Sequence, residues 1–283
     1  MNNSQFLNEA LACPTCPSNF RSIYEDFCKY QELVWNTFQI FVSICNSAAI
    51  EYQLAFGTLL GAIRDKGQIP WDYDVDVFIH FEDRNKLIRV LKDKLPRDYY
   101  FTCGELQDSE QIFIRIAPKG YNTDVLHVDV FYYVGLPDDQ EEYNKHTERI
   151  RHLVLSTEAK YMPLYGTKRN KTKMLISKVK YAFTSKKKIL QKLTLTCEKY
   201  NSYIAPRCGN LNTKCGRWYY PTEYIKKTTK FMLQDVLVNI PENYEKILRQ
   251  EFGNYMDYLP IEKRIEEVLK YYDHLKKQAR LVQ

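Results

Sequence analysis

A chain of 283 residues, 45% apolar and 27% charged, has room for one large domain or two small ones and is too apolar to stay disordered. No run approaches the roughly 18 apolar residues of a membrane span, and the opening MNNSQFLNEALACPTC has neither the basic nor the apolar part of a secretory signal. These features predict a soluble, cytoplasmic protein with reduced thiols and leave a Golgi or membrane-associated setting open.

Residues 1–18 read as a loose tail with two prolines. Over 20–47, Ile23, Phe27, Tyr30, Val34, Phe38, Phe41 and Cys45 recur at three- and four-residue steps, which predicts a core helix. A short apolar strand is expected over 52–56; Gly57 breaks it and a helix runs on to 65. Gly67 and Pro70 make a loop ending at Trp71, and a strand follows over 74–81. Asp83 is the expected N-cap of a helix to 95, which Pro96 ends. Strands are expected over 99–103, 111–117 and 125–133. The chain then changes character. Helices are expected over 141–161 and 171–200, then a Gly/Asn/Pro loop over 205–216. Two short strands follow around Gln234, then a helix over 242–251 stopped by Gly253, and an amphipathic helix over 261–275.

Charge is unevenly placed. Every charged residue between 159 and 197 is basic, eleven from Lys160 to Lys192, which exceeds the net charge of +6 and leaves the rest slightly acidic. The plain reading is a solvated helix face. The sharper one is peripheral contact of residues 160–192 with an anionic membrane or polymer; nucleic acid is not an expected partner. The CPTC run at Cys13 and Cys16 is a weak zinc signal that needs a second pair. Cys208 and Cys215 stand seven apart with no His nearby, which argues against them as that pair.

The chemistry gathers between 57 and 79. Asp72, Asp74 and Asp76 alternate, and a strand places Asp74 and Asp76 on one face. Neighbouring carboxylates repel unless a cation lies between them. Mg²⁺ or Mn²⁺ takes oxygen ligands and bridges to phosphate. Asp129, on the same side of its strand as His127, is a third carboxylate. Asp74, Asp76 and Asp129 are therefore the candidate metal ligands and catalytic residues. Gly57 and Thr58 open a helix whose N–H groups and dipole favour a phosphate. Arg64 or Lys66 would add a charge-assisted contact, Trp71 a stacking surface, and Arg115 a reach from the neighbouring strand. Trp71 also reads as a loop anchor, Arg115 as the partner of a surface acid, and His127 as a structural histidine. The layout is that of a nucleotidyltransferase-type site. The expected fold class is α+β, a nucleotidyltransferase-like mixed β-sheet flanked by helices with a largely helical second half. The expected division is 1–48 as tail and packing helix, 49–137 as catalytic core, and 138–283 as a mostly helical completion.

The run GTLLGAIRDKGQIPWDYDVDV resembles the signature of the LicD family, which includes bacterial phosphocholine transferases and fukutin-type proteins. Gly57, Thr58, Leu59, Leu60, Gly61, Arg64, Ile69, Pro70, Trp71, Asp72, Asp74 and Asp76 stand in place; Tyr73 departs where an aspartate is usual. The run from His127 to Phe131 resembles the family's second acidic strand. Residues 238–260 resemble its C-terminal block, with Phe252 and Asn254 as departures. The resemblance implies a Mg²⁺-dependent phosphotransferase. It would move phosphocholine or an alditol phosphate from a CDP-activated donor to a hydroxyl of a glycan or glycolipid. Asp74 and Asp76 would coordinate the ion, and Asp129 would complete the site as a ligand or as the base. Two alternatives share these residues: a nucleotidyltransferase adding NMP to a sugar or phosphate acceptor, and a non-catalytic relative holding an anionic polymer. Three clustered carboxylates favour catalysis.

Overall fold

The computed structural model describes residues 1–106, 112–161 and 168–279. The expected loose tail is a helix, α1 (Asn3–Ala12), closed by a reciprocal capping box between Asn2 and Gln5. Phe6 and Ala10 are its buried residues, and the Phe6 ring packs on Phe20, Tyr24 and Trp71. Phe6, Leu7, Ala10 and Leu11 do recur at helical spacing, but the stretch is a single short segment ahead of Pro14 and Pro17, and those prolines dominate its reading as a tail. Next, α2 (Phe20–Ser47) takes the bounds its periodicity predicts and lies against the central strands.

The expected strand at 52–56 shrinks to β1 (Gln53–Leu54), because Phe56 already begins α3 (Phe56–Arg64) with φ of 44°. After the loop come β2 (Val75–His80), α4 (Arg84–Lys94), β3 (Tyr99–Thr102), β4 (Ile114–Pro118) and β5 (Val128–Leu136). Asp83 makes no capping bond to α4; its carboxylate instead accepts the Tyr203 hydroxyl. Gln111, the expected start of the fourth strand, lies outside the described residues. The expected strand start at 125 is a turn, because the Asn122 carbonyl accepts from the Val125 and Leu126 N–H groups.

The sheet runs β1-β2-β5-β4-β3, with β5 parallel to β2 and antiparallel to β4. The far half of β5 pairs with β6 (Arg207–Asn210), which pairs with β7 (Tyr220–Pro221). An unbroken loop over 205–216 was expected. The sequence RCGN has no β-branched residue, and the open side of β5 supplies the pairing that propensity does not. The expected helix over 171–200 is two, α6 (Lys168–Lys180) and α7 (Lys186–Cys197). Ser185 caps the second by accepting from the Lys188 N–H. Both pack on α5 (Gln140–Tyr161), and residues 162–167 of the basic segment lie outside those described.

After a short helix, α8 (Thr222–Ile225), the hairpin β8 (Thr228–Leu233) and β9 (Val236–Pro241) turns at Gln234 with φ of 53°, where two strands were expected. Then α9 (Tyr244–Phe252) stops at Gly253, and α10 (Ile261–Ala279) returns to pack on α1 and α2. Among the described residues no helix is long and apolar enough to cross a membrane.

Candidate functional site

The parallel register pairs Asp76 with Asp129, Phe78 with Phe131 and His80 with Tyr133. Alternation sends these six to one face and the apolar set Val75, Val77, Ile79, Val128, Val130 and Tyr132 to the other. In β4, Arg115 stands opposite Asp129. One row across the sheet therefore reads Asp76, Asp129, Arg115. The Arg115 guanidinium donates from Nε to Asp129 Oδ1 at 2.9 Å and from Nη1 to Asp124 Oδ1 at 2.7 Å. His127 Nε2 lies 3.4 Å from the same Oδ1. Both basic neighbours engage Oδ1, so Oδ2 is the oxygen neither of them engages.

Asp72 and Asp74 enter from the loop before β2. That loop is held by α2: Gln31 donates to the Ile69 carbonyl at 3.1 Å and to the Asp72 carbonyl at 2.5 Å, and the Tyr24 hydroxyl donates to the Pro70 carbonyl at 3.0 Å. The Asp72 carboxyl lies against Gly57, where a Cβ would come within 2.5 Å of its Oδ2. At this position glycine is a requirement of close approach. The Thr58 hydroxyl accepts the Asp76 N–H at 2.8 Å, and the Ala55 N–H donates to the Asp76 carbonyl at 3.0 Å. The start of α3 is thus fastened to the strand that carries Asp76. It has no side-chain cap, so its first N–H groups remain the unbonded, electropositive end of a helix.

Burial and crowding split the four carboxyls. Burial, followed by the charge of Asp74, pushes Asp72 well above the ordinary carboxylate value, and it donates a hydrogen bond to Asp74. Asp74 is raised by burial, with the Asp72 bond and the His127 ring acting against the rise. Asp76 is pushed well up by burial and then by Asp74, Asp129 and Asp72; Arg115 offsets only part. Burial also presses Asp129 upward, but His127 and Arg115 outweigh it and hold this carboxyl below its ordinary value. Among the described residues no hydrogen bond or ion pair engages the Asp76 carboxylate.

Three residues expected at a donor site are not brought to the carboxylates. Arg64 lies six residues beyond Thr58 on α3, about 9 Å along the axis. Its Nε donates to Asp65 at 2.9 Å, and its guanidinium lies 4.6 Å from the Tyr258 ring and 5.5 Å from the Trp71 ring. The Trp71 ring is 5% exposed, packed on Phe6 at 5.4 Å with Arg264 over it at 5.1 Å. Lys66 places its ammonium 5.5 Å from the Phe231 ring of β8. Gly57, Thr58 and Arg115 do sit at the carboxylates. Residues that the motif argument passed over also reach the site. Asp72 joins through its hydrogen bond. Tyr73 lies edge-on to His127 at 6.2 Å and meets Tyr271 of α10 at 4.5 Å. Alternation alone would have flagged Asp72, since it is in step with Asp74 and Asp76.

The donor set is all oxygen, which suits a hard divalent cation. A cavity of about 10 Å³ between α3 and the loop is bordered by Gly57, Thr58, Asp72 and Asp74, room for one water-sized group. Among the described residues no three His, Cys, Asp or Glu side chains already converge on one ion. A larger cavity of about 320 Å³ begins at Phe56 and continues along Asn210, Trp218, Tyr220, Glu251 and Phe252.

The mixed sheet with its row of carboxylates beside a helix start defines a nucleotidyltransferase-like domain. Residues 49–154 match the family model described as LicD/FKTN/FKRP, nucleotidyltransferase domain. The chain carries a LicD-type domain over these residues. It is 26% identical over 247 residues to the lipopolysaccharide cholinephosphotransferase LicD of Haemophilus influenzae, covering 82% of this chain and 92% of that protein. It is 50% identical over 42 residues to the ribitol 5-phosphate transferase FKRP of human and mouse, which is 15% of this chain and 8% of theirs.

Proposed function

We propose that this protein transfers phosphocholine or an alditol phosphate from a CDP-activated donor to a hydroxyl of a glycan or glycolipid, with Mg²⁺ as cofactor. The observation that carries the reading is the Asp76 carboxylate, half-buried among three other carboxyls, its repulsion offset only in part by Arg115 and with no hydrogen bond or ion pair to it among the described residues. Removing charge from water at that cost is retained where the charge has work to do. The named activities of the LicD and FKRP relatives support the two kinds of cargo.

In this reading the acceptor oxygen attacks the donor phosphorus in line, the bond to CMP breaks, and the hydroxyl proton is released. Asp74 and Asp76 would hold Mg²⁺, and Asp129 Oδ2 would face the same space. Mg²⁺ supplies neutralisation of the charge on the transferring and departing phosphates. Arg115 and His127 fix the orientation of Asp129. Gly57 gives Asp72 its place, and the fastening of Thr58 to Asp76 keeps the helix start in register with the carboxylates. Such a site works by positioning and charge neutralisation. The cavity that begins at Phe56, one residue from Gly57, would receive the sugar.

A thermal-shift panel with Mg²⁺ tests this: CDP-choline, CDP-ribitol, CDP-glycerol, CTP and UDP-sugars. A selective response to a CDP-alcohol is expected and names the cargo. A response to CTP alone would favour NMP transfer, and no response to any nucleotide would favour a non-catalytic relative.

A further inference from the structure

Helix α6 has two apolar sides where an ordinary surface helix has one. Met174, Ser177 and Tyr181 are buried and turn it against α5. On the other side Leu175, Ile176 and Val179 stand 52%, 59% and 71% exposed, and Phe183, in the turn that follows, is wholly in solvent. Single exposed apolar residues are ordinary; a contiguous row marks a surface that meets something. Lys171, Lys173 and Lys180 are exposed beside this row, and Lys187 and Lys188 stand exposed at the head of α7, although Lys186 is buried. No acidic residue occurs between 159 and 197 to answer them.

We propose that the α6–α7 segment docks on a bilayer of anionic phospholipid. Ile176, Val179 and Phe183 enter the boundary between headgroups and acyl chains, and the flanking lysines meet the headgroup phosphates. The pairing of two chemistries selects this occupant. A soluble anionic polymer would neutralise the lysines and leave the apolar row in water. A second copy of the segment would cover the row but bring lysine against lysine with no acid between. An anionic bilayer supplies both halves at one surface. The proposal stands apart from the transfer chemistry and does not depend on it.

Vesicle flotation of the full chain tests it, with phosphatidylcholine vesicles compared against mixed phosphatidylcholine–phosphatidylglycerol vesicles. The expected result is binding to the mixed vesicles at low salt, weakened as salt screens the lysines, and none to phosphatidylcholine alone. V179S/F183S and K171Q/K173Q/K180Q should each weaken binding by about tenfold or more. These side chains are exposed, so both variants should keep the parent thermal midpoint and the parent response to donor nucleotides. Absence of binding to the mixed vesicles, equal binding to both kinds, or parent-like binding by the two variants would overturn the proposal. So would a vesicle-free dimer that V179S/F183S converts to monomer in sedimentation, which would make the face a contact between copies.

Discussion

Two regions built from one motif behave in opposite ways. The half of the motif around Gly57, Thr58, Asp72, Asp74 and Asp76 concentrates negative charge and leaves Asp76 with no hydrogen bond or ion pair among the described residues, only partly offset by Arg115. The half around Arg64 and Trp71 does the reverse. There the guanidinium is covered by Trp71 and Tyr258 and paired with Asp65, whose side chain is fully buried. The comparison separates residues kept for charge that must be met from outside from residues whose charge is already met within the fold. Proximity in sequence says nothing about which is which, because the turns of α3 carry Arg64 away from the end that Thr58 occupies.

The largest effect expected from this contrast is at Asp76. D76N should lower transfer by about a thousandfold or more, while the thermal midpoint without metal stays level or rises as repulsion is relieved. A transfer assay beside a melting curve reads both, and undiminished turnover would end the catalytic assignment. The opposite pattern is expected at Arg64. R64A removes the guanidinium partner of the buried Asp65, which keeps the Met1 ammonium at 2.9 Å and the Tyr258 hydroxyl at 3.1 Å, and should cost about 2 kcal/mol in urea unfolding. Turnover per folded molecule should stay within about threefold, because Arg64 touches only the frame.

Glu251 sharpens the contrast from a third position. Burial pushes its carboxyl up to about 7 against the hydrogen bond from Tyr220, with no crowding by other carboxylates. Folding raises this pKa, so the contribution to stability is full below pH about 4.5 and is lost as pH climbs through about 7. E251Q should remove a slope worth at most about 3 kcal/mol between pH 5 and 8. Mg²⁺ should alter that slope little, whereas it should stabilise the parent site strongly. The smallest effect is at Arg115. R115Q removes one of the two groups that hold Asp129 down, so the acid limb of the pH–rate profile should move up by about one unit. An unmoved limb would mean that Asp129 does not have to be ionised.

Much of this was legible in the residues. The α2 stripe repeats often enough to fix both ends of that helix, and alternation placed Asp76 and Asp129 on one face of the sheet, whereas Asp74, expected on the same strand, lies in the loop before it. What escaped depended on distant partners. The strand β6 exists because β5 has an open side, and α1 is held by Phe6 against Trp71. Asp83 looked like a cap because local spacing cannot foresee Tyr203. Asp72 was present in the motif but undervalued, since its role depends on its approach to Asp74 and on the close fit of its carboxyl to Gly57.

Tyr271 of α10 presses on Tyr73, and its hydroxyl is pushed up by burial and then by the charge of Asp72. The motif ends at Ile79, yet one wall of its site comes from a helix that starts at Ile261. During synthesis from the N-terminus, the carboxylates must therefore wait, open to water, until α10 has followed them out of the ribosome. The site is finished only when the helix that closes it has been made, well after its own carboxylates.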